Sequence, residues 1–212
     1  MDLFDYMKEV NEKEDAPLAS RLRPDSLDSI VGQEHILGKD KFLYRAIKAD
    51  KLSSIIFFGP PGCGKTTIAK IIANTTKSNF KQINATTAGK KEMEEAISEA
   101  KISFSMYKKK TILFIDEIHR FNKSQQDYLL PFVEDGTVIL IGATTENPFF
   151  EVNKALISRS RLLELKPLSY QDIENILDRA IKDKERGMGK YEIEISKQAI
   201  EFLSKSADGD AR

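Results

Sequence analysis

The sequence has a single cysteine, no excess of charge of either sign and no long hydrophobic run. Cys63 alone cannot build a disulfide framework, which indicates a reducing, cytoplasmic compartment. The 33 basic and 33 acidic side chains balance, so any contact with DNA has to come from local patches. No apolar stretch approaches the roughly 18 residues of a membrane span, and the acidic N-terminus does not resemble a signal peptide. We therefore expect no membrane partner.

Short apolar runs alternate with helical stripes along the chain. The composition, 41% hydrophobic residues in 212, suffices for one core and part of a second domain. The alternation predicts an α/β fold with a parallel sheet that binds ligands at the carboxyl ends of its strands. The predicted strands are residues 55–58, 81–84, 111–115, 138–141 and 162–165, and the predicted helices cover 39–50, 93–107, 173–181 and the residues after Ser196.

The strongest motif is a glycine-rich turn between the first apolar run and a helix start. Residues 59–66 read Gly-Pro-Pro-Gly-Cys-Gly-Lys-Thr. The backbone N–H groups of such a turn converge on a phosphate chain, to which the helix N-terminus adds its positive dipole. Lys65 is predicted to contact the β- and γ-phosphates, and the Thr66 hydroxyl to bind Mg²⁺. The predicted nucleotide-binding residues are Gly59, Pro60, Pro61, Gly62, Cys63, Gly64, Lys65, Thr66 and Thr67.

A second motif ends the apolar run 111–115 with Asp116 and Glu117. Asp116 is predicted to hold Mg²⁺, and Glu117 to orient and polarise the attacking water. A kinase or GTPase needs only the aspartate, so the adjacent glutamate favours hydrolysis. An acidic pair that merely caps a helix is the alternative, and the phosphate loop disfavours it.

Two other interpretations of these residues are disfavoured. Asp-Glu-Ile-His at 116–119 also occurs in DExH-box helicases, but such motors need two tandem lobes and 212 residues are too few. A zinc site at His119 or His35 has no visible third ligand.

The predicted domain organisation has three parts. Residues 1–16 are an acidic, aperiodic segment that predicts a mobile tail, residues 17–166 form the nucleotide-binding α/β domain, and residues 167–212 after Lys166-Pro167 form a partial helical lid. Within the tail an apolar cluster either folds back on the domain or docks on a partner, and the sequence leaves both open. Its members are Leu3, Phe4, Tyr6 and Met7.

Further segments resemble AAA+ ATPases of the clamp-loader branch, and more narrowly the replication-associated recombination protein A family. The resemblance runs from about Pro17 to Arg212. Residues 17–24 and 27–35 are similar to the segment that wraps adenine in this family. Residues 116–127 are similar to the family's extension of the Asp-Glu motif, and residues 142–150 to its sensor-1 segment. The resemblance implies a P-loop NTPase (AAA+) parallel sheet flanked by helices, followed by a partial all-α lid in a chain truncated after the lid begins.

The resemblance also implies roles for individual residues. Thr145 would sense the γ-phosphate and Arg212 would act as sensor 2. Asn84 would restrain the catalytic glutamate, and an asparagine that forms a turn is the open alternative. Ser158-Arg159-Ser160 aligns with the Ser-Arg-Cys motif of clamp loaders, which makes Arg159 the arginine finger given to a neighbouring subunit, with Arg161 as the open alternative. The implied adenine pocket consists of Arg23, Ile30, Val31 and Gly32, and the chain lacks the Asn-Lys-x-Asp element that reads guanine.

The implied function is Mg²⁺-dependent ATP hydrolysis by a cytoplasmic, nucleoid-associated protein acting on DNA at stalled or damaged replication forks. Implied partners are single-stranded or forked DNA, replication proteins such as single-stranded-DNA-binding protein, and further copies of the chain in a tetramer held by an absent C-terminal region. The lysine runs 90–91 and 108–110 are either DNA contacts or solvated loops. Three alternatives stay open: a Holliday-junction motor, a clamp-loader subunit, and a nucleotide-gated DNA scaffold in which hydrolysis only drives release.

Overall fold

The computed structural model describes residues 16–191 and 193–212, and its centre is a five-stranded parallel sheet. The strands are β1 (Ile55–Phe58), β2 (Asn79–Asn84), β3 (Thr111–Asp116), β4 (Val138–Thr144) and β5 (Arg161–Glu164). Their spatial order is β2-β3-β4-β1-β5, and all four pairings are parallel. The predicted α/β fold is confirmed. The apolar cluster predicted in the tail lies outside the described residues.

Helices cover both faces of this sheet. The longer ones are α3 (Phe42–Lys48), α4 (Lys65–Thr75), α5 (Lys90–Tyr107), α6 (Lys123–Glu134), α9 (Tyr170–Lys182) and α10 (Lys197–Ser206). The shorter ones are α1 (Leu18–Arg21), α2 (Glu34–Leu37), α7 (Pro148–Glu151) and α8 (Lys154–Ser158), with single 3₁₀ turns at Leu27–Ser29, Ile118–Arg120 and Gly189–Tyr191. No helix of the described residues is long and apolar enough to cross a membrane.

The sheet forms two hydrophobic cores because successive side chains of a strand point to opposite faces. Phe57 and Phe114 pack into one core with helix α4, while Ile56 and Leu113 pack into the other with α5. All four side chains are almost fully buried. Burial on both faces explains why the central strands are continuous apolar runs. The parallel pairing of these strands places the carboxyl ends of β1, β3 and β4 side by side.

Element boundaries differ from the predicted ones by up to three residues. Strand β4 continues from the predicted end at Ile141 through Gly142 to Thr144, because its last residues pair with β1. Helix α3 begins at Phe42 rather than at residue 39, and β2 begins at Asn79 rather than at Lys81. The predicted cap of the last helix is present, since the Ser196 Oγ accepts a hydrogen bond from the Ala199 N–H at 3.2 Å.

Candidate functional site

Three chain segments with polar side chains meet at the carboxyl edge of the sheet. Strand β4 lies between β1 and β3, with Phe58 in register with Thr144 and Ile115 in register with Gly142. The glycine-rich loop follows β1, Asp116 ends β3 with Glu117 directly after it, and Thr145 follows β4. Parallel strands therefore assemble side chains that are far apart in sequence.

The glycine-rich loop, residues 59–64, has the backbone expected of a phosphate-binding turn. Gly62 and Gly64 have φ of 70° and 103°, which disfavour residues with a Cβ, and Gly64 is the N-cap of α4. Lys65 begins α4 and is only 8% exposed. Its Nζ donates hydrogen bonds of 2.7 Å to the carbonyl oxygens of Gly59 and Pro60. The loop therefore folds around a buried ammonium group at the N-terminus of a helix.

Gly59 is constrained by the neighbouring strand as well as by its own backbone. Its φ is 144°, and a Cβ built there would overlap the backbone carbonyl of Leu165, just after β5. The Gly59 N–H donates to the Thr144 carbonyl at 3.2 Å. The glycine thus lets the loop begin in the narrow space between the ends of β4 and β5, which flank β1.

We expect Gly59→Ala to lower the free energy of unfolding by about 2–5 kcal/mol, since backbone strain and steric overlap add. Gly136→Ala is the matched control, because Gly136 has φ of 74° but nothing within 4 Å of a built Cβ. Gly136→Ala introduces only the backbone strain, so its free energy of unfolding should fall by about 1–2 kcal/mol. Urea unfolding of both variants measures the difference, and equal losses would contradict the overlap with Leu165.

Asp116 lies half-buried at the end of β3. Burial raises its pKa, and the neighbouring Glu117 charge raises it further, while the charges of Lys65 and Arg212 oppose the rise. Two adjacent carboxylates that are removed from water favour a cation. No three His, Cys, Asp or Glu side chains of residues 16–191 and 193–212 converge on one point. One carboxylate with the Thr66 hydroxyl suits Mg²⁺, which completes its shell with water and substrate phosphates.

Glu117 has an unusual backbone and several polar neighbours. Its φ of 53° places it in the left-handed region, which a glutamate seldom adopts. The Thr145 hydroxyl donates to Glu117 Oε2 at 3.4 Å, and His119 Nδ1 lies 3.3 Å from the same oxygen. His119 Nδ1 also lies 2.8 Å from Thr144 Oγ1. Sequence reasoning considered His119 only as a zinc ligand and did not single out Thr144, although a histidine two residues after Glu117 was a visible signal.

Asn84 lies beside Asp116 in the paired strands β2 and β3. Its side-chain oxygen accepts hydrogen bonds from the N–H and the hydroxyl of Thr86, at 3.0 and 2.8 Å. This is the turn-forming arrangement that the sequence left open. The restraint of Glu117 by Asn84 stays a prediction.

The segment after Pro167 reaches the glycine-rich loop. The Ala211 N–H lies 3.4 Å from the Gly62 carbonyl, and the Asp210 side chain fills the space that a Cβ on Gly62 would occupy. Asp210 in turn holds Arg212, whose backbone N–H donates to Asp210 Oδ1 at 2.7 Å. Arg212 is thereby placed near the glycine-rich loop. Its role as sensor 2 and the domain boundary at residue 166 stay predictions.

The predicted adenine segment adjoins both the loop and the lid. Gln33 is 4% exposed, and its side-chain amide exchanges hydrogen bonds with the backbone of Lys166, donating at 2.7 Å and accepting at 3.0 Å. Gly32 packs against Leu168, and Ile30 contacts the core formed with α4. Arg23 and Val31 are half-buried on the same segment. Adenine binding by these residues stays a prediction.

Arg159 and Arg161 lie away from the other predicted site residues. Arg161 begins β5 in register with Ile55, at the amino edge of the sheet, and its guanidinium stacks on Phe42 at 3.7 Å from the ring centroid. Arg159 directly follows α8 as its C-cap, forms an ion pair with Glu134 and donates to the Ala155 carbonyl at 2.9 Å. Neither can reach Asp116 of the same chain, because a whole strand length separates the two edges. The role of either arginine as a finger for another subunit stays a prediction.

Comparison with known proteins identifies relatives of both the sequence and the fold. Residues 55–168 match the family model described as "ATPase family associated with various cellular activities (AAA)". Replication-associated recombination protein A of Haemophilus influenzae is 50% identical over 201 residues, which are 95% of this chain and 45% of that protein. The Bacillus subtilis protein of the same name is 45% identical over 196 residues, 92% of this chain and 45% of that protein. The chain thus spans less than half the length of these relatives.

The fold also matches a solved structure. The RuvB Holliday junction branch migration motor of Thermotoga maritima superposes with a TM-score of 0.72 at 31% identity, over 91% of this chain and 62% of that one.

Proposed function

The chain belongs to the AAA family of ATPases, and from that premise we propose that it binds ATP with Mg²⁺ and hydrolyses it within a protein acting on DNA at stalled or damaged replication forks. The observation that carries the enzymatic part is the meeting of the glycine-rich loop, Asp116, Glu117 and Thr145 at one edge of the sheet. Each of these groups suits one task in phosphoryl transfer to water.

In this proposal the loop N–H groups and Lys65 bind the phosphates. The Lys65 ammonium is already removed from water and held by two carbonyl oxygens, so exchanging one of them for a phosphate oxygen costs little desolvation. Asp116 and Thr66 would hold Mg²⁺, which neutralises the charge that develops on the phosphates. Glu117 accepts the proton of the attacking water, while Thr145 holds Glu117 and meets the γ-phosphate.

The biological part rests on the relatives. Two named as replication-associated recombination proteins are 45–50% identical to this chain, which favours that role over a clamp-loader subunit. A Holliday-junction motor is the second candidate, because the RuvB structure shares the fold. We propose DNA and further copies of the chain as partners, with single-stranded-DNA-binding protein as an additional one. We also propose a cytoplasmic, nucleoid-associated location.

Lys65→Ala tests the nucleotide site. We expect it to abolish measurable ATP binding, a loss of about 100-fold or more, since the loop has no second cation to contact the β- and γ-phosphates. Equilibrium titration with a fluorescent ATP analogue measures the affinity. Lys70→Ala on the same helix is the control and should bind normally. Unchanged affinity of the Lys65 variant would remove the phosphate-loop assignment.

A further inference from the structure

His119 forms a buried contact between two strand ends of the site. Its side chain is 7% exposed, against 30% for Glu117. A single ring nitrogen, Nδ1, lies between Thr144 Oγ1 at 2.8 Å and Glu117 Oε2 at 3.3 Å. The Thr144 hydroxyl is itself fixed, because its oxygen accepts the Glu146 N–H at 3.0 Å. The histidine therefore connects Glu117 to the rigid end of β4.

The protonation of Nδ1 decides whether the contact between His119 and the Glu117 carboxylate is attractive or repulsive. If Nδ1 is unprotonated, Thr144 donates to it and the nitrogen lone pair faces a carboxylate oxygen of Glu117. If Nδ1 carries the proton, it donates to Thr144 Oγ1 and presents its N–H dipole to Glu117 Oε2. The carboxylate therefore selects the tautomer that has its proton on Nδ1.

The two oxygens of Glu117 then differ. Oε2 is approached by the Thr145 hydroxyl and by His119 Nδ1, whereas Oε1 has no hydrogen-bond partner among residues 16–191 and 193–212. We propose that His119, anchored on Thr144, is a positioning residue that fixes Oε2 of Glu117 and leaves Oε1 to the attacking water. The inference rests on the proposed hydrolysis, and it assigns His119 an effect on turnover but none on ATP affinity.

The tautomer can be tested without nucleotide. The chain has two histidines, so ring ¹⁵N resonances are readily assigned at a pH where both rings are neutral. His35 is the internal reference: its Nε2 lies 2.9 Å from the Glu164 carbonyl oxygen, which can only accept, so His35 carries its proton on Nε2. We expect His119 to show the opposite tautomer, with its proton on Nδ1. A proton on Nε2 of His119 would overturn the proposal.

The second test uses two amide variants under conditions in which the wild-type protein hydrolyses ATP. Asparagine places an N–H near the position of Nδ1, whereas glutamine places it near that of Nε2. We expect His119→Gln and His119→Ala to lower kcat by about 10–100-fold, as loss of a supporting contact does elsewhere, with ATP affinity unchanged. His119→Asn should recover most of the turnover.

The outcomes separate this proposal from the proposed function. Equal turnover of the asparagine and glutamine variants, or a loss of ATP affinity that parallels the loss of turnover, would show a merely structural histidine and overturn the inference. Urea unfolding of both variants checks that they are equally folded. Glu117→Gln is measured alongside them: if it hydrolyses ATP like the wild type, the hydrolysis mechanism itself is wrong, whatever the His119 variants do.

Discussion

Glu117→Gln is expected to bind ATP within a few-fold of the wild-type affinity while hydrolysing it about 10²–10⁴-fold more slowly. The carboxylate lies after β3, outside the loop that binds the phosphates, so its charge is not needed for affinity. Glutamine keeps the size and one oxygen, but it cannot accept a proton from water at neutral pH. Single-turnover hydrolysis and equilibrium binding, measured on the same preparation, separate the two effects.

The control for this prediction is Glu146→Gln. Glu146 is an exposed carboxylate next to Thr145 on the same edge of the sheet, so its charge loss resembles that of the test variant. It should leave turnover nearly unchanged. Equal losses of binding and turnover in Glu117→Gln would mean that Glu117 is structural. If the inactive variant still supports the biological role, hydrolysis serves only for release and the scaffold alternative is favoured.

The nucleotide site was largely predictable from the sequence because its chemistry is local. The glycine-rich turn, Lys65 and the Asp116-Glu117 pair each follow an apolar run that is buried on both faces. Such runs are typical of the central strands of a parallel sheet, and parallel strands bring their carboxyl ends together. The convergence of these groups therefore follows from pattern and topology alone.

Contacts that depend on side-chain direction were not predictable in this way. His119 contacts Thr144 two residues after the left-handed backbone of Glu117, a conformation that no sequence periodicity predicts. The pairing of Arg159 with Glu134 likewise depends on where α6 ends. Helix α6 was not predicted either, although Asn122 and Gln125 form a reciprocal N-terminal cap with two hydrogen bonds of 2.9 Å. The helix contains Pro131, a residue that usually interrupts helices.

Arg159→Ala is expected to bind ATP normally and to hydrolyse it about 10³–10⁵-fold more slowly in the assembled protein, the range that an arginine finger contributes in related chemistry. Arg159 lies at the amino edge of the sheet and cannot serve the phosphate loop of its own chain. Its partner Glu134 is half-exposed, so a neighbour's phosphates can compete for the guanidinium. Arg161 is stacked on Phe42 and has less freedom to leave, so Arg161→Ala is the matched variant.

Mixing two inactive variants tests whether Arg159 acts between subunits. Arg159→Ala keeps an intact phosphate loop, and Lys65→Ala keeps an intact arginine, so each such pair forms one complete site. Random assembly from equal amounts makes about a quarter of the sites complete in a closed ring, so we expect a recovery of that order. Affinity-tagged pull-down establishes that the two variants assemble together. If co-assembled variants regain no activity, the finger is Arg161 or another residue. A fast ATPase rate of this 212-residue chain alone, unchanged on dilution to concentrations at which the chain is monomeric, would exclude a shared site, because a monomer cannot form a site built from two chains.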